Sequence, residues 1–357
     1  MSQENKSIVA KAQALLKEHG YDVKTGHLYE VFSKLAGEKS WNIASSKNTS
    51  FLEKVISKIT KEDPARSMTT AQLIKSLKNS IYNLDIKKYI EEIEAGTYRD
   101  KFYLGNVIAE NRDHLKNFFT EPNALFAGSM GSGKSVAAVF TLNTWMAANS
   151  DQTILFIVDP YKGANDYQAL FEYDQVYPVL NSEVGIARVL DLMYDEILAR
   201  RDKFNELKIE SAWAYEKKTG FKLPRVVLMF EEFQSLQHIL DYDAQYMTPL
   251  TPANKLHQIM RVGRSYGVWI MAATQKVSGG SVPPSLVANF VQKQVFRISR
   301  ADSAYLLGNE TANEITSSEK GKAATDYGFV QFPYINIDGQ KKFLEHFMLP
   351  LSCSCFY

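Results

Sequence analysis

Cysteine is nearly missing from this chain: Cys353 and Cys355, both in the segment LSCSCFY, are the only two. They are too few ligands for a metal site and read as two thiols of a reduced, cytoplasmic protein. No run of about 18 apolar residues occurs, so no membrane-spanning helix is expected. The first residues, MSQENKSIVAKAQ, lack a signal-peptide pattern because Lys11 interrupts their short apolar patch. An excess of one charge is also missing, with 41 Lys+Arg against 40 Asp+Glu. This excludes a whole-chain basic footprint and leaves room only for a few local basic or polar loops. Internal repeats and low-complexity tracts are absent too.

What is present divides near residue 100. With 357 residues the chain can fill one large core and a smaller domain. The first part reads as helical. SIVAKAQALLKEHG is amphipathic and stops at Gly20, and HLYEVFSKLAG repeats the pattern to Gly37. After Pro64, Thr69 or Thr70 can cap a helix over AQLIKSLKNSIYNL, and a last helix, IKKYIEEIEAG, ends at Gly96. Residues 1–100 are therefore expected to form a small all-α domain for docking or oligomer support, with no catalytic signature. From about residue 102 apolar strands alternate with longer amphipathic segments, the mark of an α/β fold with a mainly parallel sheet. ALFAG, TILFIVD, RVVLMF, VWIMAAT and KQVFRIS are the clearest strands. This second domain is expected to span 101–345, followed by a tail at 346–357.

NALFAGSMGSGKSVAAVF carries chemistry. Gly128 is followed by Ser129, Met130, Gly131 and Ser132, then by Gly133, Lys134, Ser135 and Val136, which is the complete G-x-x-x-x-G-K-S spacing between a strand and a helix. The glycines let the backbone curl so that N–H groups point at phosphate oxygens, and the following helix adds its positive end. Lys134 is placed for the β and γ phosphates of ATP, and Ser135 for Mg²⁺. A second apolar run, PRVVLMF, leads directly into Glu231 and Glu232. Buried carboxylates at such a strand end are costly unless they hold a cation or move a proton. Glu231 is assigned to the metal shell, one methylene longer than the usual Asp, and Glu232 to the general base.

The stretch from about 102 to 335 resembles the FtsK/SpoIIIE/HerA superfamily of ring-shaped motor ATPases, which includes the type IV coupling proteins of conjugation. LGNVIAE before the phosphate loop, FIVDPYKGANDY with Asp159, Pro160 and Lys162, MYDEILARRDKFNEL, RVGRSYGVWIMAATQ and NFVQKQVFRISRADSAYLLG follow that family's order. The resemblance implies a RecA-like P-loop core. It gives Gln275 the role of sensing the γ-phosphate or polarising water, and makes Arg264, eleven residues earlier, a finger reaching the neighbouring subunit's nucleotide. Arg261 is the competing finger. Asp302 and Ser303 match the family's Asp-Ser turn, and Lys293 a position that is often basic; surface or interface salt bridges are the alternative for these three. The chromosome-pumping members carry membrane helices and a C-terminal winged helix, and neither pattern is in this sequence.

Taken together, these readings imply an ATP-dependent DNA translocase in conjugative or mobile-element transfer. A homo-oligomer, a hexamer, is expected, with DNA in its channel. Secretion or relaxosome proteins would be held by the N-terminal helices, with the motor recruited from the cytoplasm to the inner face of the membrane. A protein-export ATPase of type VII secretion and a viral genome-packaging motor share the same motifs as alternatives. The flexible segment after Gln275, with Gly279, Gly280, Pro283 and Pro284, is expected to be a strand-to-helix connection, with a pore loop as the other reading.

Overall fold

The structure is a computed structural model that describes residues 81–82, 86–121, 123–159, 161, 163–180, 183–235, 251–277 and 282–348. The helices expected before residue 81, Pro160, Lys162, Gly279, Gly280 and the cysteine-bearing tail lie outside the described residues.

Ten strands among the described residues make one sheet. In chain order they are β2 (Lys101–Val107), β3 (Arg112–Asn117), β4 (Ala124–Ala127), β5 (Thr153–Asp159), β6 (Val176–Leu180), β7 (Arg225–Phe230), β8 (Val268–Thr274), β9 (Gln292–Phe296), β10 (Lys322–Thr325) and β11 (Gly328–Gln331). Across the sheet they run β3-β2-β11-β10-β9-β4-β8-β7-β5-β6. The six from β9 to β6 are parallel, as the five apolar runs predict. Every residue of β4, β7 and β8 is buried, because helices cover both faces and leave no side for polar alternation.

On one face the helix Lys134–Asn149 is buried almost all round. On the other, Glu183–Leu207 presents Ile186, Leu190, Met193 and Ile197 at helical spacing to Leu256, Ile259 and Met260 of Pro252–Val262. No helix among the described residues is long and apolar enough to cross a membrane.

The remaining strands, β10, β11, β2 and β3, pair antiparallel and extend the sheet beyond β9. Aromatic stacking ties this extension to the parallel part. Phe102 of β2 lies 4.1 Å from the Trp145 ring and 4.3 Å from that of Trp269, between the covering helix and β8.

Two short strands depart from expectation. β1 (Ile81–Tyr82) pairs antiparallel with β12 (Tyr334–Ile335), although the pattern of AQLIKSLKNSIYNL predicts helix there. A β-branched residue and an aromatic suit a ladder, and pairing with a distant segment overrides local helical periodicity. The expected helix over IKKYIEEIEAG is present as Ile86–Glu94, and its Tyr89, Ile90 and Ile93 sit in the same apolar cluster as Phe140 and Trp145. Gly96, at φ 79°, takes the left-handed turn that lets the chain leave this helix.

Candidate active site

Parallel strands end on a common edge, and here that edge gathers residues far apart in sequence. β8 lies between β4 and β7, so the segments after these three strands are neighbours. Gly128 N–H donates to the Thr274 carbonyl at 3.0 Å, and Glu231 N–H donates to that of Val158 at 2.8 Å.

The loop 128–133 curls over the end of β4. Gly131 and Gly133 take φ of 75° and 102°, which a Cβ would strain. At Gly128 a Cβ would lie 2.7 Å from both the Phe296 Cβ and the Ser132 Oγ. The helix beginning at Lys134 has no side-chain cap, so its first N–H groups and the positive end of its dipole remain available to an anion. Lys134 is buried, and its Nζ stands 4.0 Å from Glu231 Oε2. Met130, by contrast, is 82% exposed.

Glu231 and Glu232 are both buried and differently held. The Tyr167 hydroxyl donates to Glu231 Oε1 at 2.6 Å, while Oε2 has no hydrogen-bond partner. Burial pushes the Glu231 carboxyl above the ordinary range. Lys134 and the Tyr167 hydrogen bond act against this, and the charges of Glu232 and Asp159 add to it. An orphaned, desolvated carboxylate oxygen beside a helix N-terminus suits a divalent cation, so Glu231, with Ser135, would fit a Mg²⁺ shell.

Glu232 sits at φ 53°, an uncommon conformation for a non-glycine residue. Gln275 Nε2 and Gln234 Nε2 each donate to its carboxylate at 2.5 Å. Only the NH₂ end of an amide can pair with a carboxylate, which leaves Gln234 Oε1 to accept from the Thr274 hydroxyl at 2.6 Å and from Gln275 N–H at 3.1 Å. The arrangement locks the ends of β7 and β8 together and sets Glu232 beside Gln275.

The structure thus brings together the 128–135 loop, Glu231, Glu232 and Gln275. Arg264 and Arg261 are elsewhere: both precede β8, whereas Gln275 follows it, so roughly 20 Å of strand separates them from the loop. Arg264 is exposed and donates to the Thr120 carbonyl at 3.2 Å. Asp302 is structural here. Its carboxylate accepts from the Ser299 hydroxyl at 2.5 Å and from Val277 N–H at 3.0 Å, which holds the Ser299 cap of the helix Arg300–Leu307 and tethers the segment after Gln275. Ser303 Oγ donates to the Asn309 carbonyl at 2.8 Å. Lys293 lies in β9, half-buried.

Sequence reasoning did not find Gln234, Tyr167 or Gly321. Gln234 is two residues beyond Glu232, and its carboxamide is the signal that could have marked it. Tyr167 ends the quoted FIVDPYKGANDY, but its contact with Glu231 spans 64 residues. Gly321 donates its N–H to the Ser132 carbonyl at 2.9 Å, a long-range contact with no local pattern behind it.

No protein-family model matches the chain. Curated relatives named DNA translocase FtsK do. That of Leptospira interrogans (serovar copenhageni) is 24% identical over 242 residues, covering 63% of this chain and 24% of the relative. That of Borreliella burgdorferi is 25% identical over 232 residues, covering 62% and 28%. The chain therefore matches about a quarter of the length of these relatives. Among solved structures, ATPases 2 and 3 of EssC from Geobacillus thermodenitrificans align with TM-score 0.58 at 20% identity, over 69% of this chain and 48% of that one. The pCW3 conjugation coupling protein TcpA, solved as a monomer with ATPγS, aligns with TM-score 0.56 at 20% identity, over 74% and 73%. The resemblance to the FtsK/SpoIIIE/HerA superfamily carried by the motifs is matched in sequence by FtsK relatives and in fold by ATPases with a RecA-like P-loop core.

Proposed function

We propose that the chain is an ATP-driven motor that moves DNA, acting as a hexameric ring in conjugative or other mobile-element transfer. The observation that supports this most is the meeting, on one sheet edge, of the 128–135 loop, Lys134, Glu231 and the Glu232–Gln275 pair. The loop's N–H groups and Lys134 hold the β and γ phosphates, and Ser135 and Glu231 hold Mg²⁺, which neutralises charge on the phosphate oxygens when bound. Glu232 accepts a proton from the attacking water as its oxygen bonds to the γ-phosphorus. The bond to the bridging oxygen then breaks, giving ADP and phosphate. Gln275, held against Glu232, orients that water.

Arg264 is too far from the loop of its own chain and is exposed, which suits a guanidinium delivered to the neighbouring subunit. DNA is the track favoured by the FtsK relatives. Residues 1–100 dock secretion or relaxosome proteins and bring a cytoplasmic motor to the inner face of the membrane.

The test is ATP hydrolysis by the full chain with and without single- and double-stranded DNA. Hydrolysis stimulated several-fold by DNA is expected. Hydrolysis indifferent to both forms would move the reading to the protein-export motors of type VII secretion.

A further inference from the structure

The flank of the loop opposite the glutamates carries a second feature. If the γ-phosphate faces β8 and β7, where Lys134 meets Glu231, the nucleoside end must leave on the other side of β4. That side is formed by β9 and the antiparallel strands. The turn before β10 reaches the loop directly: Gly321 N–H binds the Ser132 carbonyl at 2.9 Å, and a Cβ on Gly133 would lie 2.6 Å from Gly321 N. From this turn a cleft of about 880 Å³ opens between β2, β3 and β12, within the range of roughly 300–1,000 Å³ usual for small-molecule sites.

We propose that the adenine and ribose of the nucleotide occupy this cleft, an inference that rests on the ATPase reading above. Tyr334 stands half-exposed on its wall and Lys320 adds an exposed cation at the phosphate end, while Tyr103 and Phe332 lie buried beneath. Asn106 supplies base discrimination. Its Nδ2 donates to Asp113 at 3.0 Å, and Asp113 also accepts from the Tyr98 hydroxyl at 2.9 Å and Lys88 Nζ at 3.4 Å. With the amide nitrogen committed to a carboxylate, the Asn106 carbonyl oxygen is the end left to meet a ligand. An acceptor there matches the 6-amino group of adenine and opposes the 6-oxo group of guanine.

The experiment measures binding of ATP, GTP and inorganic tripolyphosphate to the full chain by calorimetry, with Mg²⁺ present. Ser318→Trp, on the cleft wall in an exposed turn, should weaken ATP at least tenfold and leave tripolyphosphate unchanged. Asn106→Ala, which keeps the other donors to Asp113, should reduce the preference for ATP over GTP about tenfold, the scale of one lost discriminating hydrogen bond. Unchanged ATP affinity in Ser318→Trp, or equal loss of ATP and tripolyphosphate, would overturn the cleft assignment. If the unaltered chain bound neither ATP nor tripolyphosphate, the ATPase reading itself would fall.

Discussion

The two halves of the sheet are built on different terms. From β9 to β6 the strands are parallel, with β4, β7 and β8 buried throughout and written as unbroken apolar runs, and the phosphate loop, Glu231, Glu232 and Gln275 follow directly on these three. From β10 to β3 they are antiparallel and more mixed in polarity, as in RDHLKN of β3. The parallel half carries reactive side chains, while the antiparallel half shapes space: it supports the phosphate loop through Gly321 and walls the cleft beside it. The fold therefore divides chemistry from positioning between strands that share one sheet.

The sharpest way to break this division is to remove the charge on the parallel side. Lys134→Ala should lose at least about a hundredfold in ATP affinity while melting as the unaltered chain does, because a buried charged hydrogen-bonding group to phosphate is removed and no core contact is. Calorimetric binding and thermal melting check both halves of this prediction, and unchanged affinity would remove the basis for the nucleotide site.

Next in size is the seam between the halves. Gly133→Ala combines a φ of 102° with a clash against the Gly321 backbone, so it should cost about 2–4 kcal/mol in unfolding free energy. Gly131→Ala, at φ 75° but with open space around its Cβ, should cost only about 1–2 kcal/mol. Chemical denaturation of both variants makes the comparison, and equal losses would mean that the antiparallel half does not support the loop.

A smaller effect concerns Glu231. Its carboxyl is raised in the fold, so the native state holds its proton more tightly than the unfolded chain does. The stability from that protonated form is full below the ordinary carboxylate value of 4.5 and is lost as pH rises through the raised value. Without nucleotide, Glu231→Gln should flatten this part of the stability profile and melt higher than the unaltered chain near neutral pH. Melting temperatures across pH 4–8 test it, in steps of about one unit.

The same contrast explains what could be read from the sequence. TILFIVD, RVVLMF and VWIMAAT are legible because burial on both faces demands uninterrupted apolar residues, and the glycine spacing of 128–133 is legible because only that spacing lets the backbone curl. The antiparallel strands are not, since half-exposed β3 tolerates Lys and Asp, and β2 depends on pairing with β11 far away in the chain. Ile81–Tyr82 shows the same limit, as its pairing with Tyr334–Ile335 is invisible locally. Within the site, Glu231 and Glu232 follow from a strand end, and Gln275 from the resemblance to the motor family. Gln234 and Tyr167 act through contacts across 40 and 64 residues, and no spacing rule reaches that far.

The central claim is that Glu232, paired with Gln275 on the parallel edge, performs the proton transfer of ATP hydrolysis. Single-turnover hydrolysis by Glu232→Gln, measured beside ATP binding, tests it most directly. The account predicts unchanged ATP affinity and hydrolysis at least about a hundredfold slower, the scale of a lost general base. Hydrolysis at the unaltered rate, or the pure hydrolysis defect appearing in Glu231→Gln instead, would contradict it.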